Sequence, residues 1–389
     1  MSRNTNAGSN ALTVYGNPQS FKSLINNHGQ LCKVKQALVC PCVAGNHGSP
    51  DGNCEICGGK GHLYTYQRRM LVSDEDTPIS YDGSELRPFW VPLLEVVKVQ
   101  RVSSPVQGGI TNLTVKEFTE EVITLETPIA KYDKKRVSYY FDGWTYVASE
   151  KLRVDVAHKL MYADGTIYQA GYQSSNPLNA FADIAKIEKI WNADTGAELT
   201  SYTYEGNTIA TTQTVSDNMY IEYYYADLSQ VITTDLNNKD QNEVYIHDLK
   251  SGECKMAFYP FLELAKGDII VLPATTLYKN ELLIHRKDLD RLHEIEIFAL
   301  HDNIVDETGK TYYIGTDYIL QGNHVKWVGS KPVDGKAINV RYGFKPAYII
   351  FDDNPQPNNL ENKQYPVLVL AKSWSKTSPD EVTKLMAGL

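Results

Sequence analysis

The sequence predicts a mainly β protein: a small zinc-knuckle module, then two or three repeated β-meander or sandwich-like modules, and a short C-terminal helix. Tyrosine is unusually common, with 26 Tyr against 10 Phe and 5 Trp, and a flat ring with a polar tip suits a half-buried sheet face. Short β-branched and aromatic runs, such as residues 220–225, alternate with turn signals such as Asp142-Gly143 and Gly206-Asn207. Such alternation is typical of strands joined by tight turns.

The strongest motif is a cysteine cluster near the N-terminus. Five of the six cysteines lie within 26 residues, and four of them form two close pairs, Cys40-Pro41-Cys42 and Cys54-Glu55-Ile56-Cys57, with eleven residues between the pairs. Two such pairs are the pattern of a Cys₄ zinc site, because each pair lies on a tight turn and the loop brings the thiolates together. Since the loop consists of turn-forming residues, we expect Zn²⁺ bound by Cys40, Cys42, Cys54 and Cys57 to supply its folding energy.

We interpret this zinc as structural. A catalytic zinc keeps one coordination position open for water, whereas four thiolates close the coordination shell. Three further residues, Cys32, His47 and His62, are candidate substitutes for one ligand, and a cluster of free or disulfide-linked cysteines is the alternative to a metal site. Cys254 lies nearly 200 residues away and is expected to be a small buried side chain.

The charge distribution limits the classes of partner. The formal net charge of −9 argues against a chain that coats nucleic acid or an anionic membrane. Residues 1–70 carry seven Lys and Arg against two Asp and Glu, so this part could dock on an acidic surface or contact a phosphate backbone peripherally, unless the bias is chance. The longest apolar runs, such as residues 269–272, have the length of a strand, so no membrane span is expected. The polar start of the chain predicts synthesis in a cytoplasm.

The order of these signals predicts six segments. They are a flexible N-terminal arm (1–30), the zinc-binding module (31–70), a β-domain (71–180), a β-module (181–290), a second β-module that repeats it (291–372) and a C-terminal helix (373–389). A short helix is expected over residues 20–27, and strands over 31–39 and 61–66 lead into and out of the zinc module. The C-terminal helix is indicated by Ser378-Pro379-Asp380-Glu381, a capping box with proline at the first helical position.

An internal repeat supports the modular organisation. Residues 184–232 and 293–351 show the same order of a Thr-Gly turn, a strand, a Gly-Asn turn and an alternating strand that carries tyrosine. Residues 96–141 form a fainter copy, which ends on Val137-Ser138-Tyr139-Tyr140-Phe141. The alternative is chance similarity, because hairpin turns use few residue types. We favour two or three related modules of about 50 residues.

No enzyme motif accompanies these modules, and we expect a protein without catalytic activity. The sequence lacks a phosphate-binding loop, a dinucleotide fingerprint and a nucleophile elbow. Carboxylates are plentiful, as in Asp352-Asp353, so a glycan-degrading enzyme on a β-scaffold is the least favoured interpretation.

The combination of motifs resembles virion structural proteins of tailed bacteriophages, in particular those of the neck between head and tail. The resemblance is carried by the cysteine knuckle and by the series Tyr318-Ile319-Leu320, Gly322-Asn323, Val325-Lys326-Trp327, Pro332-Val333-Asp334-Gly335, Val340-Arg341-Tyr342 and Pro346-Ala347-Tyr348. It implies a homo-oligomeric ring that is assembled in the host cytoplasm, resides in the virion and contacts other neck or tail proteins. A tail fibre, baseplate or other tail position is the second interpretation.

Overall fold

Strands form most of the chain described by the structure, a computed structural model in which residues 18–45, 54, 61–103, 109–155, 165–171, 180–213, 215–234, 252–352 and 367–377 are described. In these residues the two α-helices, α1 (Pro18–His28) and α2 (Pro41–Gly45), are short, and a 3₁₀ turn spans Trp374–Lys376. The predicted mainly β class is confirmed, and α1 confirms the helix expected over residues 20–27. The C-terminal helix predicted from Ser378 onward lies outside the described residues. None of the described helices has the length and hydrophobicity needed to cross a membrane.

Seven antiparallel strands from distant parts of the chain form one sheet, which we call the hub sheet. In pairing order they are β17 (Ser229–Thr234), β18 (Glu253–Phe258), β29 (Val367–Ser373), β28 (Ala347–Asp352), β19 (Ile269–Val271), β1 (Gln30–Val39) and β2 (His62–Thr65). β1 and β2 confirm the strands predicted on either side of the cysteine loop. β1 also pairs with β17, so the pairings of six strands close on themselves around a buried apolar interior.

The remaining strands of the described chain form three modules that share one topology. Module A (69–142) has a sheet of β3 (Arg69–Glu75), β9 (Lys134–Asp142), β5 (Leu93–Ser103) and β6 (Gly109–Asn112), and a second sheet of β4 (Glu85–Leu86), β8 (Ile123–Leu125) and β7 (Val115–Phe118). Module B (144–226) has a sheet of β10 (Trp144–Lys151), β16 (Met219–Ala226) and β13 (Ile184–Asn192), and a second sheet of β11 (Arg153–Val154), β12 (Thr166–Gln169), β15 (Thr208–Thr211) and β14 (Thr203–Glu205).

Module C (277–344) repeats the arrangement. Its first sheet contains β20 (Leu277–Ile284), β27 (Ala337–Phe344), β23 (Ile304–Asp306), β24 (Thr311–Tyr312) and β22 (Ile297–Leu300), and its second contains β21 (Leu289–Arg291), β26 (His324–Trp327) and β25 (Tyr318–Gln321). In every module the last strand pairs with the first and with a middle strand, and a hairpin supplies two strands of the second sheet. In modules B and C, side chains of both sheets share one apolar core, as in a small β-sandwich.

The three segments in which the sequence shows the repeat each contain this arrangement of strands, the fainter first copy included. Each copy is longer than predicted, because the strands that precede residues 96, 184 and 293 belong to it as well. Modules A and B follow one another between β2 and β17, and module C is inserted between β19 and β28. The predicted boundary between residues 290 and 291 stays a prediction, although module C has strands on both sides of it.

A tyrosine–glutamate hydrogen bond recurs at the same place in all three modules, with the tyrosine ring buried in each. The phenol of a tyrosine in the last strand donates to a glutamate of the first strand, as Tyr139 does to Glu75 (2.7 Å), Tyr223 to Glu150 (2.7 Å) and Tyr342 to Glu281. In each module that glutamate lies opposite the residue two positions before the tyrosine. Burial, together with the neighbouring carboxylate, raises the pKa of all three phenols, so they remain hydrogen-bond donors.

We expect Tyr223→Phe to lower the free energy of unfolding by about 1–3 kcal/mol, because the buried carboxylate of Glu150 loses a donor. Tyr146→Phe is the matched control: Tyr146 also donates to a glutamate, Glu222, but on the exposed face of the same sheet. This control should cost less than about 0.5 kcal/mol. Urea denaturation of both variants measures the difference, and equal costs would mean that the recurring pair has no special structural role.

Candidate metal centre

The hairpin of β1 and β2 brings the ends of the cysteine loop together. Its register runs from Gln36 opposite Thr65 to Val39 opposite His62, so the loop starts at Cys40 and returns at Gly61. The Cys40 N–H donates to the Gly61 carbonyl at 2.8 Å, and Gly61 adopts a φ of 80°, which glycine accommodates without strain. Cys42 follows two residues after Cys40, as the second residue of the short helix α2.

Three of the predicted ligands meet at this point. The sulfur atoms of Cys40, Cys42 and Cys54 all lie within 4.8 Å of one another, and the Sγ atoms of Cys40 and Cys54 are 3.8 Å apart. Two thiolates that each lie about 2.3 Å from a tetrahedral zinc would be separated by about 3.8 Å, whereas bonded disulfide sulfurs lie about 2.05 Å apart. None of the five described cysteines is joined in a disulfide. This group of cysteines could therefore hold a metal ion.

The other predicted candidates have different positions. Cys57 and His47 lie outside the described residues. Cys32 is fully buried near the start of β1, opposite Ser229, and burial raises the pKa of its thiol, which disfavours the thiolate that binds metal. The ring of His62 packs edge-on against Tyr64 with centroids 5.4 Å apart. Neither Cys32 nor His62 belongs to the described group of sulfur atoms. Cys254 is buried in β18, as predicted.

Cys32→Ala should keep the metal content of the wild-type protein, because its thiol lies outside the sulfur group. Cys40→Ala, at a cysteine of the same strand-to-loop segment, should lose metal. Elemental analysis of the two purified variants, expressed as metal per chain, makes the comparison. A fall in metal content in Cys32→Ala would show that Cys32 is a ligand.

A cluster of charges around the buried Asp183 connects the hairpin to modules B and C, and sequence reasoning missed it. We call it the charged junction; it consists of Lys33, Lys35, Tyr66, Asp183 and Glu296. Lys33 and Tyr66 both contact the Asp183 carboxylate. The Lys35 Nζ lies 3.5 Å from Asp183 and 2.5 Å from Glu296. Lys33 and Lys35 alternate on one face of β1, but no local pattern relates Lys33 to Asp183, 150 residues away.

The charges of the junction stabilise one another. Burial opposes the ionisation of Asp183, but Lys33 and Lys35 outweigh it and lower the pKa of the carboxyl group to about 2. Burial likewise opposes the charge of Lys35, yet Glu296, Tyr66 and Asp183 raise its pKa well above the usual value. Asp183 directly precedes β13 of module B, and Glu296 directly precedes β22 of module C. The hub-sheet strand β1 therefore contacts both module B and module C through ion pairs, and in each module the acidic partner directly precedes a strand.

No protein-family model matches the chain, and no curated protein matches it.

Proposed function

We propose that the cysteine group binds Zn²⁺ as a structural ion, with Cys57 as the fourth ligand. Thiolate ligands favour zinc among the common divalent ions, and the 3.8 Å separation of the Cys40 and Cys54 sulfurs fits a tetrahedral site. The ion would crosslink the loop that joins β1 to β2. Other residues of the same hairpin contact modules B and C through the charged junction.

We further propose that the protein is a structural component of a tailed phage particle, a neck protein that forms a ring at the head-to-tail connection. The observation that carries this proposal is the occurrence of one two-sheet module three times in a chain that also forms the hub sheet. Such an architecture presents several similar outer surfaces to neighbouring subunits. The sequence resemblance over residues 318–348 supports the same assignment.

The outer strand of module C offers a surface for such contacts. β20 is an edge strand of its described sheet, and its side chains include the exposed Tyr278, Leu282 and Ile284, with Leu282 72% exposed. Edge strands with exposed apolar side chains tend to pair with other chains. In a ring, each subunit would use this strand against a different surface of the next subunit, since rings are built from heterologous contacts.

Mass spectrometry of purified particles, combined with deletion of the gene, tests the assignment. A neck protein should be present in several copies per particle, and its deletion should yield DNA-filled heads beside complete, unattached tails. Tails that lack their distal end would instead favour a baseplate or fibre position. Absence of the protein from particles would contradict both positions.

A further inference from the structure

Module C buries a polar cluster at a position where modules A and B bury apolar or aromatic side chains. In the second sheet, Leu86 of module A lies opposite Ile123, and Tyr168 of module B lies opposite Ile209. The corresponding residue of module C is Asp290, opposite Val325. Asp290 is buried, and the neighbouring His285 is fully buried. Burying ionisable groups costs free energy, so their presence here points to a functional role.

Asp290 holds the imidazole of His285 in one orientation. Its Oδ2 lies 2.6 Å from Nδ1 of His285 and also accepts a hydrogen bond from the indole of Trp327 at 2.8 Å. The other oxygen accepts the backbone N–H of Arg286 at 2.8 Å. With its oxygens used as acceptors, Asp290 favours the tautomer of His285 that carries its proton on Nδ1, which leaves a lone pair on Nε2. Metal-binding histidines are commonly oriented by a carboxylate in this way.

The Nε2 atom of His285 is buried and has no hydrogen-bond partner among the described residues. Buried polar atoms without a partner are rare in folded proteins. The closest acidic group is Asp334, whose Oδ1 lies 3.6 Å from Nε2, too far for a hydrogen bond. Two backbone contacts hold the Asp334 turn against the histidine: the N–H of Lys287 donates to Oδ1 at 3.2 Å, and the N–H of Gly335 donates to the His285 carbonyl at 3.0 Å.

We propose that Nε2 of His285 and the Asp334 carboxylate bind a divalent first-row transition-metal ion, with Asp290 as the positioning residue. An ion about 2.1 Å from both atoms would see them at an angle of about 120°, close to tetrahedral geometry. Asp334 is 65% exposed, so water can complete the coordination. Imidazole with carboxylate suits Zn²⁺, Fe²⁺ or Ni²⁺. The site differs from the cysteine centre in ligand chemistry and lies in module C, whereas the cysteine centre lies on the β1–β2 hairpin of the hub sheet.

Metal titration of the full-length protein, with zinc already bound at the cysteine centre, tests this site. Co²⁺ is added in excess, unbound ions are removed by dialysis at a fixed free concentration, and zinc and cobalt per chain are counted by elemental analysis. We expect one cobalt per chain, with the zinc retained. The added cobalt should lack the intense thiolate charge-transfer absorption and should be removed by a brief treatment with EDTA.

Three variants assign the ligands. Asp334→Asn, at an exposed position that should leave folding intact, and His285→Gln should both lose the bound cobalt, while far-UV circular dichroism checks their fold. Asp290→Asn should weaken cobalt binding by about 10–100-fold, the usual effect of losing a carboxylate that orients a ligating histidine. His301→Gln, at another histidine of module C, is the matched control and should bind cobalt like the wild type.

Two results would overturn the proposal. One is a wild-type protein that retains no cobalt above its zinc, which would mean that His285 and Asp334 form an ordinary ion pair. The other is an Asp334→Asn variant that binds cobalt as tightly as the wild type.

Discussion

Cys54→Ser should release the metal and unfold the loop that begins at Cys40. Structural zinc contributes about 10–16 kcal/mol to the folding of small zinc modules, and residues 45–53 of the loop are mostly turn-forming residues that cannot replace it with an apolar core. We expect metal per chain to fall in elemental analysis and residues 40–61 to become sensitive to limited proteolysis. The melting temperature of the whole protein should fall as well, since the hairpin carries part of the charged junction.

The Cys32→Ala variant is the control for this experiment, because it removes a thiol from the same hairpin without touching the sulfur group. Serine at position 54 changes little except the ligand atom. Full metal content together with an unchanged melting curve in Cys54→Ser would therefore refute the site.

Asp183→Asn should lower the free energy of unfolding by about 3–5 kcal/mol, the usual cost of leaving buried charges without their partner. Lys33 and Lys35 would both lose the carboxylate that they contact. Glu188→Gln is the matched control in the same module, because it removes the surface ion pair of Lys186 and Glu188 at 2.6 Å and should cost less than about 1 kcal/mol. Urea denaturation of both variants gives the comparison, and a similar small loss in each would show that the junction is dispensable.

The same residue should contribute to the acid sensitivity of the protein. Its pKa falls from an ordinary 3.8 to about 2 in the folded state, so its stabilising contribution is complete above about pH 4 and is lost as the pH falls toward 2. Stability measured between pH 5 and pH 2 should therefore change less in Asp183→Asn than in the wild type. An identical pH dependence would contradict the lowered pKa.

Local signals in the sequence predicted local structure well. The Gly-Asn turns became hairpins because Gly206 and Gly322 adopt positive φ values of 61° and 57°, which a two-residue hairpin turn requires. The cysteine spacing likewise predicted three residues that meet. Both predictions depend only on residues that are close together in the sequence, so they can be made without knowing which distant strands pair.

The sequence did not predict which distant strands pair with one another. β1 pairs with β17, which lies about 200 residues later in the chain, and no sequence motif identifies the two strands as partners. β20 departs from the usual alternation of a half-buried strand: Leu282 and Ile284 face outward, while Glu281 points inward to Tyr342. An interpretation based on hydrophobic alternation would place these side chains on the opposite faces.

The arrangement of the hub sheet also governs the order in which the nascent chain can fold. β29 lies between β18 and β28, so the sheet cannot close until the ribosome has synthesised residue 373. Modules A, B and C are each contiguous in sequence and emerge earlier, which allows each to fold as a unit during translation. The hub strands synthesised first keep unpaired edges until residue 373 has been added. During this interval the nascent polypeptide is most prone to aggregation.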